Sequence, residues 1–183
     1  LLSKISTSII SSLSQYSVQQ EEVVGVDITP DGVRLVQLSN NDDKWMVEKL
    51  AYRHLDRIDD IKTSAVKISE EISIAYKSGK FTTQNAAVSL PVSSSIVKVI
   101  TMPLMSDDEM SRAIEYDSLW ENLTQLPDAL EEYSIFHQTI RKDSAASTMD
   151  VLFVASKLSD VNQYVDIVKK ANLNPVVLDV RCF

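Results

Sequence analysis

Residues 23–39, VVGVDITPDGVRLVQLS, constrain the fold more than any other stretch of this chain. Apolar side chains alternate with polar ones on both sides of residues 29–32, which is the pattern of strands with one buried face. The tetrapeptide TPDG between them has proline at its second position and glycine at its fourth, as in a type I turn. The stretch therefore predicts two strands joined by a tight turn.

The pattern after this hairpin predicts an α+β fold. A third strand at 45–53 completes a β-meander, and residues 60–80 form an amphipathic helix with Gly79 as its C′ cap. The inward positions of that helix are predicted to be Ile61, Ala65, Ile68, Ile72 and Ala75. Further strands are predicted at 86–90, 95–102, 131–140, 149–156 and 175–180, and further helices at 106–120 and 159–173.

Two of these later elements have specific signals. Ser106 and Glu109 match a capping box at the start of the second helix. The run PVVLDV near the end of the chain is continuously apolar, which predicts a strand covered on both faces. The β-β-β-α series ends near residues 79–84, and a second series of strands and helices follows. We place the boundary between the two halves of the chain there.

Composition excludes several classes of function. The formal net charge of −8 repels a phosphate backbone and disfavours nucleic-acid binding. A single cysteine, Cys182, excludes an internal disulfide and a cysteine zinc cluster, and it favours a reduced, cytoplasmic setting. No apolar run approaches the ~20 residues of a membrane helix. The chain starts at Leu1 and stops at a strand-like run, so we expect a fragment of a longer protein.

The first residues form an amphipathic pattern of their own. In residues 2–13 an apolar stripe at helical spacing is followed by the polar linker 14–22. This segment is either a helix that docks on a partner or membrane surface, or a helix that packs on its own domain or a frayed tail. Lys4 alone gives little attraction for anionic lipid, so packing on its own domain or a frayed tail is favoured. The stripe consists of Leu2, Ile5, Ile9 and Leu13.

The hairpin also raises the question of a nucleotide site, because Asp27 lies at the end of the first strand. Asp27 is able to hold a metal-bound water, and Arg34 to reach a phosphate. A phosphate loop, however, needs backbone N–H groups aimed at the anion. Pro30 has none, and Asp31 adds negative charge. We therefore expect a structural hairpin, with no cofactor, no metal site and no catalytic residue. His137 is expected to be a structural histidine.

The ordered set of motifs resembles the PilM family, the actin-like and FtsA-like cytoplasmic proteins of type IV pilus assembly. GspL, the type II secretion platform protein, has a related cytoplasmic domain. The resemblance covers residues 23–183. The matching residues are Gly25, Val26, Asp27, Ile28, Leu90, Pro91, Met102, Pro103, Asp107, Glu109, Asp179 and Val180.

This resemblance implies an actin/FtsA-like fold with an incomplete first subdomain. Residues 1–22 would be an N-terminal amphipathic helix and linker. Residues 23–80 plus 175–183 would form subdomain 1A, a β-meander plus helix. Residues 81–174 would form the inserted β-β-α-β-β-α subdomain of the 1C type. The second phosphate loop and the adenosine pocket would lie beyond Phe183.

The chain departs from the family at the phosphate loop. Thr29 stands where the family has a glycine, Pro30 and Asp31 replace small residues, and Arg34 replaces a lysine. Asp27, Thr29 and Arg34 are therefore degenerate phosphate-loop positions. The family's aromatic-proline sequence after the acidic helix is replaced by LWENLTQLPDAL.

The resemblance implies a non-catalytic scaffold on the cytoplasmic face of the inner membrane, and it favours the bundle-forming-pilus branch, whose platform protein is not an ATPase. In that branch the partners are the assembly ATPase and inner-membrane platform proteins, and a membrane anchor follows downstream. In the PilM branch the partner is a short peptide of PilN. The alternative is an actin-like ATP-binding protein truncated before its second phosphate loop. Candidate partner-binding residues are Leu119, Trp120 and Leu126, together with the apolar stripe of residues 2–13, although core packing fits both sets at least equally well.

Overall fold

The computed structural model describes residues 22–41, 44–114 and 126–181, and the following elements lie in that part of the chain. The strands are β1 Val24–Thr29, β2 Gly32–Asn41, β3 Lys44–His54, β4 Asn85–Leu90, β5 Ser95–Pro103, β6 Tyr133–Asp143, β7 Thr148–Lys157 and β8 Asn174–Val180. The helices are α1 Ala65–Ser78, α2 Asp107–Ile114 and α3 Leu158–Lys170. Short 3-10 turns lie at Val92–Ser94 and Leu130–Glu132.

The chain divides into two compact units. The first comprises Leu1–Ser89 and Val165–Asp179, and the second comprises Leu90–Tyr164 and Val180–Phe183. The sheet of the first unit has the strand order β3-β2-β1-β4-β8. Strand β2 runs antiparallel to both β1 and β3, which confirms the predicted meander, while β4 runs parallel to β1.

The inner face of the first sheet forms a core with α1. Alternate residues of β1 are buried, and α1 packs against β2 and β3. A helix with one apolar stripe is stabilised mainly by such packing. Of the five inward helix positions predicted, Ile68, Ile72 and Ala75 are buried, whereas Ile61 and Ala65 are half-buried.

Helix α1 ends in a different way from the predicted glycine cap. Gly79 has φ −77°, and it is Lys80 that adopts the left-handed conformation with φ 52°. The N–H of Lys80 donates to Lys77, and the N–H of Phe81 donates to Tyr76, as in a Schellman motif. A Cβ on Gly79 would lie 2.4 Å from the Phe81 ring, so glycine is needed there for space and not for a positive φ.

The second unit contains an antiparallel sheet with the order β5-β7-β6. Its inner face packs with α2 around Phe153 and Val151, both fully buried, and Met110 of α2 belongs to the same core. The predicted capping box is confirmed at α2. The Ser106 N–H donates to the Glu109 carboxylate at 2.8 Å, and the Glu109 N–H donates to Ser106 Oγ at 3.3 Å.

The observed division differs from the predicted one at three places. Strand β4 pairs with β1 in the first sheet, with Val26 opposite Val88, so the chain divides after Ser89 and not near residue 80. Residues 165–174 likewise belong to the first unit, and residues 180–183 belong to the second. The described part of the second unit therefore has one strand before α2 where the sequence predicts two.

Strand β8 corrects a further prediction. It lies at the edge of the first sheet, and Val176 and Val177 are 42% and 43% exposed. The apolar run is therefore not covered on both faces in this structure. The predicted N-terminal helix and the linker up to residue 21 lie outside the described residues, as does Cys182.

Candidate functional site

The β1–β2 hairpin brings the three degenerate phosphate-loop positions together. Thr29 pairs with Gly32 across the turn, and Asp27 lies directly opposite Arg34. The Arg34 guanidinium donates to the Asp27 carboxylate and to the Thr29 hydroxyl, both at 3.3 Å. The side chains of Arg34 and Asp27 are 44% and 30% exposed, so this is a surface ion pair. Asp27 is thus paired with a positive charge of the protein itself, the Arg34 guanidinium.

The side chains of the turn are held by contacts within the turn. Thr29 Oγ1 lies 2.7 Å from Asp31 Oδ1 and 2.9 Å from the carbonyl oxygen of Gly32. The hydrogen bond from Thr29, followed by the backbone N–H of Asp31 itself, lowers the pKa of the Asp31 carboxyl below its usual value. Asp31 therefore carries its negative charge at any physiological pH, directly at the tip of the turn.

The backbone carbonyls of the turn are also occupied. The Ile58 N–H donates to the carbonyl of Pro30 at 2.8 Å, and the Leu55 N–H donates to the carbonyl of Asp31 at 2.9 Å. Leu55 and Ile58 are themselves buried, at 1% and 8% exposure. The segment after β3 therefore holds the turn in place through these two backbone hydrogen bonds, within the first unit.

Tyr52 of β3 supports the same hairpin. Its ring lies 5.4 Å from the guanidinium carbon of Arg34, and its hydroxyl lies 3.3 Å from the carbonyl of Asp31 and 3.4 Å from His54 Nδ1. A cation over an aromatic face is attractive. No motif in the sequence marks Tyr52. Its role depends on the β2–β3 register, which places it opposite Arg34.

Gly32 allows this close packing. A Cβ at this position would lie 2.5 Å from Tyr52 Cε2 and 2.8 Å from the carbonyl oxygen of Arg53. Glycine residues in phosphate loops serve the approach of an anion to the backbone. Here the space around the glycine is taken by the neighbouring strand.

Three features of the turn disfavour phosphate binding by its backbone. Pro30 has no N–H, Asp31 is anionic, and Arg34 contacts Asp27. Within the described ranges, no group of three or more His, Cys, Asp or Glu residues is placed to hold a metal ion. The same ranges contain no helix that is long and apolar enough to cross a membrane.

The candidate partner-binding residues fall in the second unit. Leu126 is half-buried and packs against the core that contains Phe153, while Leu119 and Trp120 lie outside the described residues. Nearby in sequence, Asp128 accepts hydrogen bonds from Lys157 Nζ at 2.8 Å and from Tyr133 Oη at 3.1 Å. The Lys157 bond, followed by the Tyr133 bond, lowers the pKa of Asp128.

Comparisons with known proteins identify a family and a fold. The sequence model described as type IV pilus assembly protein PilM matches residues 25–183. The solved PilM–PilN type IV pilus biogenesis complex contains a chain that superposes with a TM-score of 0.73 at 20% identity, over 89% of this chain and 48% of that one. No curated protein matches the sequence. The chain thus spans about half the length of the PilM-complex chain.

A second solved structure is the cytoplasmic domain of EpsL, an inner-membrane component of the type II secretion system of Vibrio cholerae. It superposes with a TM-score of 0.50 at 13% identity, over 86% of this chain and 57% of that one. These likenesses confirm the predicted α+β, actin/FtsA-like fold class. Because the family match takes in nearly all of the described residues, the chain belongs to the PilM family of type IV pilus assembly proteins.

Proposed function

We propose that this chain is a non-catalytic scaffold domain of an inner-membrane platform for type IV pilus biogenesis or type II secretion. It would lie on the cytoplasmic face of the membrane and link the assembly ATPase to membrane components. Family membership supports the proposal, as does the likeness to a PilM–PilN complex and to a domain of an inner-membrane secretion component.

The non-catalytic part of the proposal is supported by the hairpin turn, whose polar groups contact other groups of the protein. Its carbonyls accept hydrogen bonds from Leu55 and Ile58, its carboxylate is held by Thr29, and Arg34 contacts Asp27. An incoming phosphate would have to draw Arg34 away from Asp27 and approach the anionic Asp31. Repulsion between like charges opposes that approach.

One observation favours the alternative of an ATP-binding protein. Asp27 of β1 matches the family motif and is able to hold a metal-bound water, and Arg34, 3.3 Å from it, would be the residue that reaches a phosphate. In that case the second phosphate loop would be supplied by sequence beyond residue 183. The two readings differ in whether Mg²⁺-ATP is bound at all.

Calorimetry with Mg²⁺ and ATP tests this point on the full-length protein or on its complete cytoplasmic portion. We expect no heat of binding from a protein that circular dichroism shows to be folded. Micromolar binding that disappears in Asp27→Asn, and persists in the matched exposed-carboxylate control Asp56→Asn, would refute the non-catalytic reading and restore the ATP-binding one.

The scaffold part needs a separate measurement of partner binding. The complete cytoplasmic portion should bind both its cognate assembly ATPase and the cytoplasmic peptide of a platform membrane protein in pull-down and titration experiments. Trp120→Ala is expected to weaken binding of the ATPase while leaving the unfolding midpoint unchanged. Equal losses of binding and stability would assign Trp120 to the core instead, and no binding of either partner would contradict the scaffold role.

A further inference from the structure

The two longest strands that the structure describes, β3 and β6, both lie at the edge of a sheet, and each contains one extra residue. Both have 11 residues, and they end the strand orders β3-β2-β1-β4-β8 and β5-β7-β6. The ladder of β3 with β2 shifts between Gln37 and Leu38, and that of β6 with β7 shifts between Thr139 and Arg141. In both pairs the extra residue belongs to the edge strand and not to its inner neighbour.

On β3 the extra residue is Glu48. Gln37 of β2 pairs with Lys49, and the next residue of β2, Leu38, pairs with Val47. Glu48 therefore lies between two paired residues and opposite none, which is the arrangement of a β-bulge. It is exposed, and it lies near the middle of the strand.

The two faces of β3 do not depend on this extra residue. Without Glu48, Val47 and Lys49 would be consecutive, and their partners in β2 are consecutive already. Side chains of a regular strand alternate between the faces of the sheet, so Val47 and Lys49 would remain on opposite faces, as they are now. The remaining residues of β3 therefore keep their partners and their faces with or without Glu48.

Contacts on both strands fix the register around the bulge. On β2 the buried Gln37 side chain donates from Nε2 to Thr82 Oγ1 at 2.7 Å. On β3 the Arg53 Nε donates to Glu71 Oε2 of α1 at 2.7 Å. A slip by one residue would turn the side chains of a strand to the wrong face. Deletion of Glu48 should therefore leave the fold intact.

The bulge changes the free edge of β3. A regular edge strand presents a row of unpaired N–H and C=O groups, to which another strand is able to pair. A bulge interrupts that row, bends the strand and increases its twist. The side chains near the bulge make such pairing more favourable, because Trp45, Val47 and Leu50 are apolar and are 69%, 63% and 70% exposed. A long, regular and apolar edge is a site of aggregation.

Charge protects this edge less than the bulge does. Arg53 forms an ion pair with Glu71 of α1. Lys49 Nζ lies 3.4 Å from the hydroxyl oxygen of Thr82. Both basic side chains are thus engaged within the first unit. The interrupted row of backbone groups is then the main obstacle to a second strand.

The shorter edge strands of the described sheets have other features that oppose pairing. Strand β5, with nine residues, has Lys98 near its centre and ends at Pro103. Strand β8, with seven residues, has Pro175 as its second residue. Lysine, proline and short length are recurrent protections of a sheet edge. On β3, which is too long to be protected by its length, the bulge has the corresponding role.

We propose that the bulge at Glu48 prevents β3 from pairing edge to edge with β3 of a second copy of the chain. Two copies would pair antiparallel about a two-fold axis, since the same edge then serves both. Glu48 itself is dispensable for the fold. This inference concerns self-association, and it stands independently of the proposed scaffold function.

Deletion of Glu48 tests the proposal in the full-length protein or its complete cytoplasmic portion. Circular dichroism reports the fold, and light scattering after size-exclusion chromatography gives the mass over a wide range of concentration. We expect the deletion variant to keep the parent's circular dichroism spectrum. Its mass should rise with concentration to roughly twice that of the parent, as pairing of two copies requires. Glu48→Ala is the matched control. It removes the charge but keeps the extra residue, so its mass should equal that of the parent.

Hydrogen exchange identifies the backbone groups that take part in the association. In the deletion variant the amides of residues 44–54 should exchange several-fold more slowly at high concentration than at low concentration. The amides of β8, at the other edge of the same sheet, should exchange at the same rate at both concentrations.

Four results would overturn the proposal. A deletion variant that does not fold would show that the register depends on Glu48. A folded deletion variant with the mass of the parent would show that the bulge protects nothing. Association without slower exchange in β3 would place the contact on another surface. Equal association of Glu48→Ala would assign the protection to the charge and not to the bulge.

Discussion

Gly32→Ala is the most informative test of how tightly the hairpin turn is built. The new Cβ would lie 2.5 Å from Tyr52 Cε2 and 2.8 Å from the Arg53 carbonyl oxygen, and the second of these is backbone that a side-chain rotation does not move. Overpacking of this kind costs about 1–3 kcal/mol. Displacing the Tyr52 ring from Arg34 adds about 0.5–1 kcal/mol. We expect a total destabilisation of about 2–4 kcal/mol.

Urea unfolding followed by circular dichroism measures this loss. With a typical slope of about 1–3 kcal/mol per molar urea, the midpoint should fall by roughly 1 M or more. In a Tyr52→Ala background Gly32→Ala should be less harmful, because the ring contact is gone and the carbonyl contact remains.

Gly25→Ala is the matched control for a glycine in the same hairpin. Its Cβ would meet Val36 Cγ1 at 2.9 Å, which is the end of a side chain that is able to rotate, so the loss should stay below about 1 kcal/mol. The reasoning fails if Gly32→Ala unfolds at the same urea concentration as the parent protein, or if Tyr52→Ala does not reduce its effect.

Three further predictions concern stability. Lys80→Gly should stabilise the protein by about 0.5–1 kcal/mol in urea unfolding, because relief of the left-handed backbone outweighs the flexibility of glycine. The control Lys77→Gly, inside α1, should destabilise the protein by about 1 kcal/mol. If both substitutions stabilise the protein, the prediction is wrong. Ser106→Ala removes the N-cap of α2 and should cost about 1 kcal/mol in thermal unfolding of the second unit, whereas no change would show that the capping box contributes nothing. The lowered pKa of Asp128 stabilises the folded state at pH values above 3.8, the usual pKa of the group, and this stabilisation is lost as pH falls through the folded-state pKa. The difference in unfolding midpoint between the parent and Asp128→Asn should therefore shrink below pH 3.8. A constant difference would refute the linkage.

Local patterns predicted the parts of the fold that depend on neighbouring residues. The TPDG turn, the capping box at Ser106 and the stripe of α1 each follow from spacing within one or two turns of chain, and the structure confirms them. The end of α1 was only partly predictable. The sequence marks Gly79 as special, but the reason is the ring of Phe81, whose position depends on packing.

Pairing between strands that are distant in sequence could not be predicted from local patterns. Strand β4 joins β1 across an intervening helix, so no turn signal marks it as part of the first sheet. At the candidate site, the sequence located Asp27, Thr29 and Arg34, and it identified Pro30 and Asp31 as obstacles to phosphate. It gave no sign of Tyr52, since the contact with Arg34 depends on the β2–β3 register.

The late arrival of β8 has a consequence for synthesis on the ribosome. Strand β8 pairs with β4, but about 80 residues separate them along the chain. At roughly 5–20 residues per second, the β4 edge waits about 4–16 s for its neighbour to be translated. The second unit, which lies mostly between the two strands, has time to fold in that interval. A nascent chain therefore exposes an open strand edge for seconds, and this is the period in which chaperones would protect it from aggregation.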